Sequence, residues 1–330
     1  MTWHLVTPEH PPRIGGIASW TDDVARALHG AGHVVVVWSR GPVEARPWPV
    51  HAVPGRSWGQ WGAAWMQAWV GPRLQRGDRV LVTNWELAAG PFGGLVGAAR
   101  RAGARLDVVW HGSDIVRPER RPVGGSERGA LVRDVVAQGG RHYAVSRFLA
   151  ARLEATHGVA AQVLPAPIDP VTPVVRGPRW LVVTRLVPGK GVAQALDFAA
   201  AHDRGLTVVG EGPLRASLER RATELRIDAA FLGVRARAAI PWEGHEAVLL
   251  RPDAEEGLGL SLLEGAARGL ASLGTRAGGV PEAALHLVDP VSPGPIPRLS
   301  SPEQAQLWLR AHHGSVRCAE ILAAGVGRAS

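Results

Sequence analysis

The sequence predicts two α/β domains, each built on a doubly wound parallel sheet. Short, wholly apolar runs such as Val34–Trp38 are typical of strands that are buried on both faces of a sheet. Such runs alternate with helical patterns in both halves of the 330-residue chain. Between the halves, Pro165–Pro173 carries four prolines in nine residues and predicts a linker. We therefore expect residues 1–170 to form one domain and residues 171–302 the other, with helices in residues 303–330 packing back on the first.

Each half is predicted to repeat a unit of strand, loop and helix. A strand at Trp3–Thr7 leads through a Gly-Gly turn into a helix over Ala18–Gly30, whose apolar residues recur at helical spacing. The remaining strands expected in the first half are Val34–Trp38, Arg79–Thr83, Leu106–Trp110, Tyr143–Ser146 and Gln162–Pro165, with a helix over Arg147–His157. In the second half we expect strands at Trp180–Thr184, Leu206–Gly210, Ala230–Leu232 and Ala247–Leu250, and helices over Ala193–Ala201, Leu214–Leu225, Leu258–Leu270, Pro302–Ala311 and Ser315–Ala324.

The composition indicates a folded protein without a disulfide framework. Hydrophobic residues make up 46% of the chain, which argues against disorder, and the single cysteine, Cys318, excludes an intramolecular disulfide framework. There is no signal-peptide pattern at the start and no apolar run near the roughly 20 residues that span a membrane. These features predict a cytoplasmic protein.

The net charge of +8 lies mostly in the first 170 residues, which carry 19 arginines against 13 acidic residues. Such an excess favours a phosphate-bearing acceptor or peripheral contact with the inner face of the cell membrane, and arginine-rich codon usage explains it equally well. The basic residues form no run, so the sequence does not predict nucleic-acid binding.

The first motif contains the only lysine of the chain. Lys190 follows an expected strand, in a loop rich in Gly and Pro, five residues after Arg185. A flexible ammonium beside a planar guanidinium suits the binding of one polyanion, such as a diphosphate. A chance lysine on a solvated loop is the alternative interpretation.

The second motif is a pair of carboxylates, Glu256 and Glu264, separated by a glycine-containing loop that enters a helix. Free backbone N–H groups at such a helix start bind anions or sugar hydroxyls. Glu264 is then about two helical turns further along, so the two carboxylates face different parts of one ligand. A solvated acidic helix start is the alternative.

These motifs occur together in the order and spacing of one enzyme family. The second half carries Arg185-x₄-Lys190, Val209-Gly-Glu-Gly212 and Glu256-x₇-Glu264. The first half carries Pro11-Pro-Arg-Ile-Gly-Gly-Ile17, His111-Gly-Ser-Asp114, Val145-Ser-Arg-Phe148 and Pro165-Ala-Pro-Ile-Asp169. Over about residues 3–290 the chain resembles the retaining GT-B glycosyltransferases of family four, which share the glycosyl transferases group 1 domain. The resemblance implies two Rossmann-like domains facing a cleft.

The resemblance also implies a donor site in the second domain. Arg185 and Lys190 would bind the nucleotide diphosphate and stabilise its charge as it leaves. Glu264 would bond the ribose hydroxyls, and the backbone near Val234 would read the base. The donor sugar would be held by Glu256 and by the backbone of Gly257, Leu258, Gly259 and Leu260, with Gly210 also in the donor site.

Two residues of the first domain complete the implied site. Gly16 would approach the phosphates, where a side chain would obstruct them. His111 follows an expected strand at its carboxyl end, where open α/β sheets bind ligands, and would touch the sugar near the reacting carbon. The resemblance also implies that no metal is needed, and the sequence agrees, since it has no Asp-x-Asp on a strand-end loop and no His/Cys cluster with ligand spacing.

The sequence departs from the family pattern at the donor-sugar loop, where Asp253 replaces the usual Ser and Leu258 the usual Phe.

A second unusual feature is a row of tryptophans at helical spacing: Trp58, Trp61, Trp65 and Trp69. Core packing is the favoured explanation, since large aromatic side chains dominate buried faces. An acceptor platform and a membrane-contacting helix remain open.

The leading interpretation is a retaining glycosyltransferase that moves a sugar from a nucleotide-diphosphate sugar to a hydroxyl of a glycan, a lipid-linked acceptor or a small molecule. Two alternatives remain open: a non-catalytic GT-B subunit that binds nucleotide sugar, and a sugar-nucleotide epimerase. The nucleotide sugar would be a co-substrate, and no separate cofactor is expected. Base, sugar, acceptor and oligomeric state are not determined by the sequence.

Overall fold

The computed structural model describes residues 1–54, 60–89, 94–112, 125–289 and 295–324. Its contacts divide the chain into two units. The first contains residues 1–167 and the C-terminal segment from Ser315 onward, and the second is Ile168–Gly314. The boundary falls inside the proline-rich segment that predicts the linker.

Seven strands form a parallel sheet in the described part of the first unit. They are β1 (Thr2–Thr7), β2 (Val34–Arg40), β3 (Val50–Val53), β4 (Arg79–Val82), β5 (Arg105–Trp110), β6 (His142–Ala144) and β7 (Gln162–Val163). Their spatial order is β3-β2-β1-β4-β5-β6-β7. The helices of this unit include α1 (Gly16–Gly30), α2 (Gln60–Val70), α3 (Trp85–Ala88), α4 (Gly94–Ala102), α5 (Gly125–Ala137) and α6 (Arg147–His157). The order reverses between β1 and β4, so the loop after β1 lies at a topological switch point.

Six strands form the parallel sheet of the second unit within its described residues. They are β8 (Arg179–Val183), β9 (Leu206–Val209), β10 (Ala229–Phe231), β11 (His245–Leu250), β12 (Ala271–Gly274) and β13 (His286–Leu287). Their order is β10-β9-β8-β11-β12-β13, with the reversal between β8 and β11. The helices include α7 (Val192–Ala201), α8 (Arg215–Glu224), α9 (Leu260–Ala267) and α10 (Pro302–His312).

The apolar strands that the sequence predicts do line the cores. In the first unit Trp38, Trp85 and Trp110 are buried with the valines and leucines of the central strands. In the second unit Trp180 stacks on Phe198 with ring centroids 5.3 Å apart. Within the described residues, no helix has the length and apolarity needed to cross a bilayer.

The two C-terminal helices belong to different units, whereas we expected both to pack on the first. Helix α10 packs on α9 of the second unit and buries Ala305 and Leu309, and Gln306 Nε2 donates hydrogen bonds to the carbonyls of Val171 and Ala267, at 2.7 and 2.9 Å. A capping box between Ser301 and Gln304 begins this helix. The following helix, α11 (Ser315–Ala324), packs on α1 of the first unit.

Strands β3, β12 and β13 and helices α3, α4 and α5 were not predicted, and α9 is shorter than the expected Leu258–Leu270. Strand β3 lies at a sheet edge between prolines, and β12 has no β-branched residue, so both lack the usual strand signal. Helix α9 begins only after Gly259, whose φ of 97° is outside the helical region.

The tryptophans of the row differ in burial within the described residues. Met66 on α2 is fully buried, and Trp69 is partly buried against the core with the Arg73 guanidinium over its ring. Trp65 is 48% exposed. Trp58 and the side chain of Trp61 lie outside the described residues. Core packing therefore accounts for Trp69 and not for Trp65.

Candidate donor site

The central feature of the second unit is an ion pair across its switch point. Lys190, in the loop after β8, donates a hydrogen bond to the carboxylate of Glu256, in the loop after β11. Strands β8 and β11 are neighbours whose following chain segments leave in opposite directions, which opens a crevice at their carboxyl ends. Both side chains are only about one-fifth exposed, at 19% and 22%. The lone lysine and the first motif carboxylate therefore meet where such a sheet binds ligands.

Close backbone contacts hold the lysine loop in place. Gly191 has a φ of 64°, and a Cβ there would lie 1.5 Å from the carbonyl oxygen of Arg251 at the end of β11. Gly210 has a φ of 146°, and its Cβ would lie 1.8 Å from the carbonyl oxygen of Thr184 at the end of β8. Only glycine permits this approach. Both glycines are therefore needed for the loops after β8, β9 and β11 to meet.

Arg185 lies on the same loop as Lys190, with an exposed side chain. Backbone hydrogen bonds from Leu186 N to Glu211 O (2.9 Å) and from Leu214 N to Leu186 O (3.1 Å) fix the loop against the Gly-Glu-Gly turn. Among the described residues, the Arg185 guanidinium has no ion-pair partner. The loop thus presents one paired and one unpaired cation.

The Glu256 segment leads into a helix whose start is not capped by a side chain. Gly257 N lies 3.3 Å from Glu256 Oε1, and Gly279 N donates to Glu256 O at 2.8 Å. Gly259 precedes α9, and no side chain caps the helix there. The first N–H groups of a helix lack intrahelical partners and carry partial positive charge. Leu258 faces inward and is 3% exposed, so only its backbone is available to a ligand.

The second motif carboxylate, Glu264, is paired with an arginine that the sequence did not reveal. Glu264 is 8% exposed on α9, and its Oε1 lies 2.6 Å from Nε of Arg237. Arg237 begins a short 3₁₀ turn after β10, three residues beyond the half-exposed Val234. The loop also contains Arg235, so the sequence alone did not indicate which arginine would pair.

In the first unit, a buried carboxylate holds the Gly-Gly loop. Asp22 on α1 accepts hydrogen bonds from Arg26 (2.8 Å) and Arg46 (2.7 Å), and His10 Nε2 lies 3.3 Å from its Oδ1. Burial alone would raise the pKa of the Asp22 carboxyl, but His10 and Arg46 outweigh it and lower that pKa to about 2. Gly16, the first residue of α1, is exposed at the end of this loop, which the contacts of Asp22 hold in place.

His111 follows β5 at its carboxyl end and packs edge-on against Trp20, with ring centroids 4.7 Å apart. Its Nε2 is buried and has no hydrogen-bond partner within the described ranges. Burial lowers the pKa of the imidazole to about 3, so the ring is neutral near pH 7. A neutral imidazole can contact a ligand, and it carries no charge near pH 7. Ser113 and Asp114 of the same motif lie outside the described residues.

Within the described ranges, no three His, Cys, Asp or Glu side chains are grouped as metal ligands would be. The donor-site residues that the sequence predicts lie in three groups in the structure. Lys190, Glu256 and the backbone of Gly257–Leu260 surround the switch point, Glu264 pairs near the Val234 loop, and Gly16 and His111 belong to the first unit.

Comparison with known proteins identifies this arrangement. The model of the family "Glycosyl transferases group 1" matches residues 173–291, all in the second unit. Over 326 residues the chain is 29% identical to the GDP-mannose-dependent alpha-(1-6)-phosphatidylinositol monomannoside mannosyltransferase of Mycolicibacterium smegmatis, covering 85% of this chain and 82% of the relative. The second unit of the protein therefore carries a glycosyl transferases group 1 domain. The protein is an enzyme, a glycosyltransferase.

Solved structures confirm the GT-B fold of this glycosyltransferase. HepE of Anabaena, in complex with UDP and glucose, superposes with a TM-score of 0.70 at 16% identity, covering 97% of this chain and 98% of HepE. AviGT4, a glycosyltransferase involved in avilamycin A biosynthesis, gives a TM-score of 0.70 at 19% identity, covering 98% and 96% of the two chains. At such identities the likeness shows the fold alone.

Proposed function

We propose that this glycosyltransferase retains the anomeric configuration of its donor sugar, needs no metal, and transfers the sugar to a hydroxyl acceptor. The observation that carries the proposal is the Lys190–Glu256 pair at the β8/β11 switch point, beside the unpaired Arg185. Two cations and an uncapped helix start at one crevice suit a diphosphate.

The proposal assigns a specific exchange of partners to Lys190. When the donor binds, its diphosphate takes over the Nζ of Lys190 and joins Arg185. Glu256 is then free to accept hydrogen bonds from hydroxyls of the donor sugar. As the bond to the diphosphate breaks, the two cations stabilise the charge that develops on the leaving oxygen. This is the work that a divalent ion does in metal-dependent transferases.

The remaining predicted residues take supporting roles. Glu264 bonds the ribose hydroxyls, the backbone at Val234 contacts the base, and Gly210 leaves room for the donor. Gly16 approaches the phosphates, and His111 supports the sugar near the reacting carbon without acting as a base. The low pKa of His111 supports that last role, because a general base works best with a pKa near the working pH. The acceptor hydroxyl would then attack from the side on which the diphosphate leaves and pass its proton to that phosphate.

The similarity to a GDP-mannose-dependent mannosyltransferase makes GDP-mannose the first donor to test. UDP-glucose is the second, because HepE, which shares the fold, has been solved in complex with it. We also propose a cytoplasmic enzyme whose basic first half meets an anionic acceptor or membrane surface. Co-sedimentation with vesicles that contain anionic lipid, at low and at physiological salt, tests the membrane contact.

The function is tested by incubating the protein with a panel of nucleotide-diphosphate sugars and measuring free nucleotide diphosphate. A panel of sugar, polyol and lipid-linked hydroxyl acceptors accompanies each donor. NMR of the product's anomeric proton then reports the configuration. We expect release of nucleotide diphosphate with one donor and a product that keeps the donor's configuration. An inverted linkage refutes retention, and an epimerised donor or no release with any donor refutes the transferase proposal.

A further inference from the structure

We propose that Arg237 is a positioning residue that holds the Glu264 carboxylate in the orientation that binds the donor's ribose. The inference rests on the proposed function, since it assumes that Glu264 meets the nucleotide. It goes beyond that function because Arg237 is outside every motif of the donor site.

The position of Arg237 follows from the topology. Strand β10 is the edge of the sheet, and β9 and β8 lie between it and β11. The segment of residues 232–244 therefore crosses from the carboxyl end of β10 to the start of β11. Helix α9 next connects β11 to β12 in the same direction across the sheet. Because parallel crossovers are right-handed, both connections lie on the same face.

Two contacts tie this crossover segment to α9. The first is the ion pair of Arg237 with Glu264, 2.6 Å between Nε and Oε1. The second is Arg268, whose guanidinium carbon lies 4.5 Å from the centre of the Trp242 ring. Glu264 and Arg268 are one helical turn apart, and the Arg268 Nη1 also donates to the Glu264 carbonyl at 2.9 Å. Of these contacts, the ion pair involves the Glu264 carboxylate, and the stacking of Arg268 on Trp242 is made by a different side chain.

The electrostatics explain why the carboxylate needs a partner. Glu264 is 8% exposed, and an ionised carboxylate buried without a hydrogen-bonded cation is strongly disfavoured. A guanidinium holds a carboxylate by directional N–H groups and fixes its plane as well as its charge. Arg237 remains 31% exposed at its side chain, so it is accessible at the edge of the site. With Oε1 held by Arg237, the carboxylate is presented in one rotamer to an incoming ribose.

The test is a double-mutant cycle on nucleotide binding. Dissociation constants of the nucleotide diphosphate product are measured for wild type, Arg237→Ala, Glu264→Gln and the double variant. We expect Arg237→Ala to weaken binding roughly tenfold while kcat at saturating donor changes less than threefold. In the Glu264→Gln background the same change should cost less than twofold, because the arginine acts through the carboxylate. Arg237→Lys, which keeps the charge, should recover part of the affinity.

Two control variants separate positioning from folding and from anchoring of the segment. Arg235→Ala removes an exposed arginine two residues away, and Arg268→Ala releases the Trp242 contact without removing the partner of the Glu264 side chain. Both should bind the nucleotide within twofold of wild type. Thermal unfolding of every variant confirms that the fold is kept.

The proposal is overturned if Arg237→Ala binds the nucleotide like wild type, or if its loss is equally large in Glu264→Gln, which would indicate direct contact with the nucleotide. It is also overturned if Arg268→Ala weakens binding as much as Arg237→Ala does. Failure of the proposed function is read from a different measurement, the donor panel, as an inverted linkage, an epimerised donor or no release of nucleotide diphosphate, whereas the binding cycle is measured without turnover.

Discussion

Lys190 and Glu256 form an ion pair between the loops that follow β8 and β11, the two neighbouring strands at which the order of the second sheet reverses. The pair joins the two strongest motifs of the sequence at the crevice where an open α/β sheet binds its ligand. It also means that Lys190 already has an anionic partner that a diphosphate must replace.

Removing either cation should nearly abolish transfer. We expect Lys190→Ala and Arg185→Ala each to lower kcat/KM for the donor by two to three orders of magnitude, about 3–4 kcal/mol of transition-state stabilisation. Donor turnover with the donor identified by the panel is the measurement. Arg220→Ala, which removes an exposed arginine of α8, is the matched control and should leave turnover unchanged. Near-wild-type activity in Lys190→Ala would show that the diphosphate binds elsewhere.

Neutralising Glu256 should separate nucleotide binding from turnover. In Glu256→Gln, Lys190 loses its competing carboxylate, so free nucleotide diphosphate should bind several-fold more tightly than in wild type. Turnover should nevertheless fall at least tenfold, because the amide holds the sugar hydroxyls less strongly than the carboxylate does. Calorimetry gives the affinity and donor turnover the rate. Weaker binding of the nucleotide in this variant would show that the two groups do not compete for Lys190.

Transfer should continue in excess EDTA. Arg185 and Lys190 supply the positive charge at the leaving group, so the rate should stay within about twofold of its value without chelator. The measurement compares initial rates with EDTA, with added Mg²⁺ and with added Mn²⁺. Activity that disappears with EDTA and returns with either ion would contradict this mechanism.

His111 should make the protein less stable in mild acid. The pKa of its imidazole is lowered from 6.5 to about 3 by burial. Below pH 6.5 the unfolded chain binds a proton at His111 that the native state does not bind. The free energy of unfolding therefore decreases between pH 6.5 and about 3, and no such loss occurs above pH 6.5. Between pH 7.5 and 5.5, wild type should therefore lose about 1 kcal/mol more of its unfolding free energy than His111→Gln does.

Urea unfolding of both proteins at the two pH values checks this prediction. The other histidines are common to wild type and variant, so their contributions cancel in the comparison. Equal losses in the two proteins would show that the His111 imidazole has the same pKa in the native state as in the unfolded chain, which would contradict its burial.

The sequence could predict the part of the site in which a motif directly follows a predicted strand, because the sheet then determines where the motif lies. Lys190 and Glu256 each follow a buried apolar strand, and parallel strands bring their carboxyl ends to one edge, so their meeting follows from the pattern. The pairing of Glu264 with Arg237 could not be foreseen, because it depends on how an irregular crossover segment packs on α9. The sequence also placed α10 on the wrong unit for a related reason, since its position depends on long-range packing against α9 and on hydrogen bonds from the Gln306 side chain.

The most direct test of the account is amide hydrogen exchange with and without the nucleotide diphosphate that the enzyme releases. We expect slower exchange in residues 185–191 and 257–264 and around Val234 when the nucleotide is bound. Exchange at strand β13, at the far edge of the same sheet, should be unchanged. If the nucleotide binds while exchange in residues 185–191 stays the same, the donor does not occupy the β8/β11 crevice and the central claim is wrong.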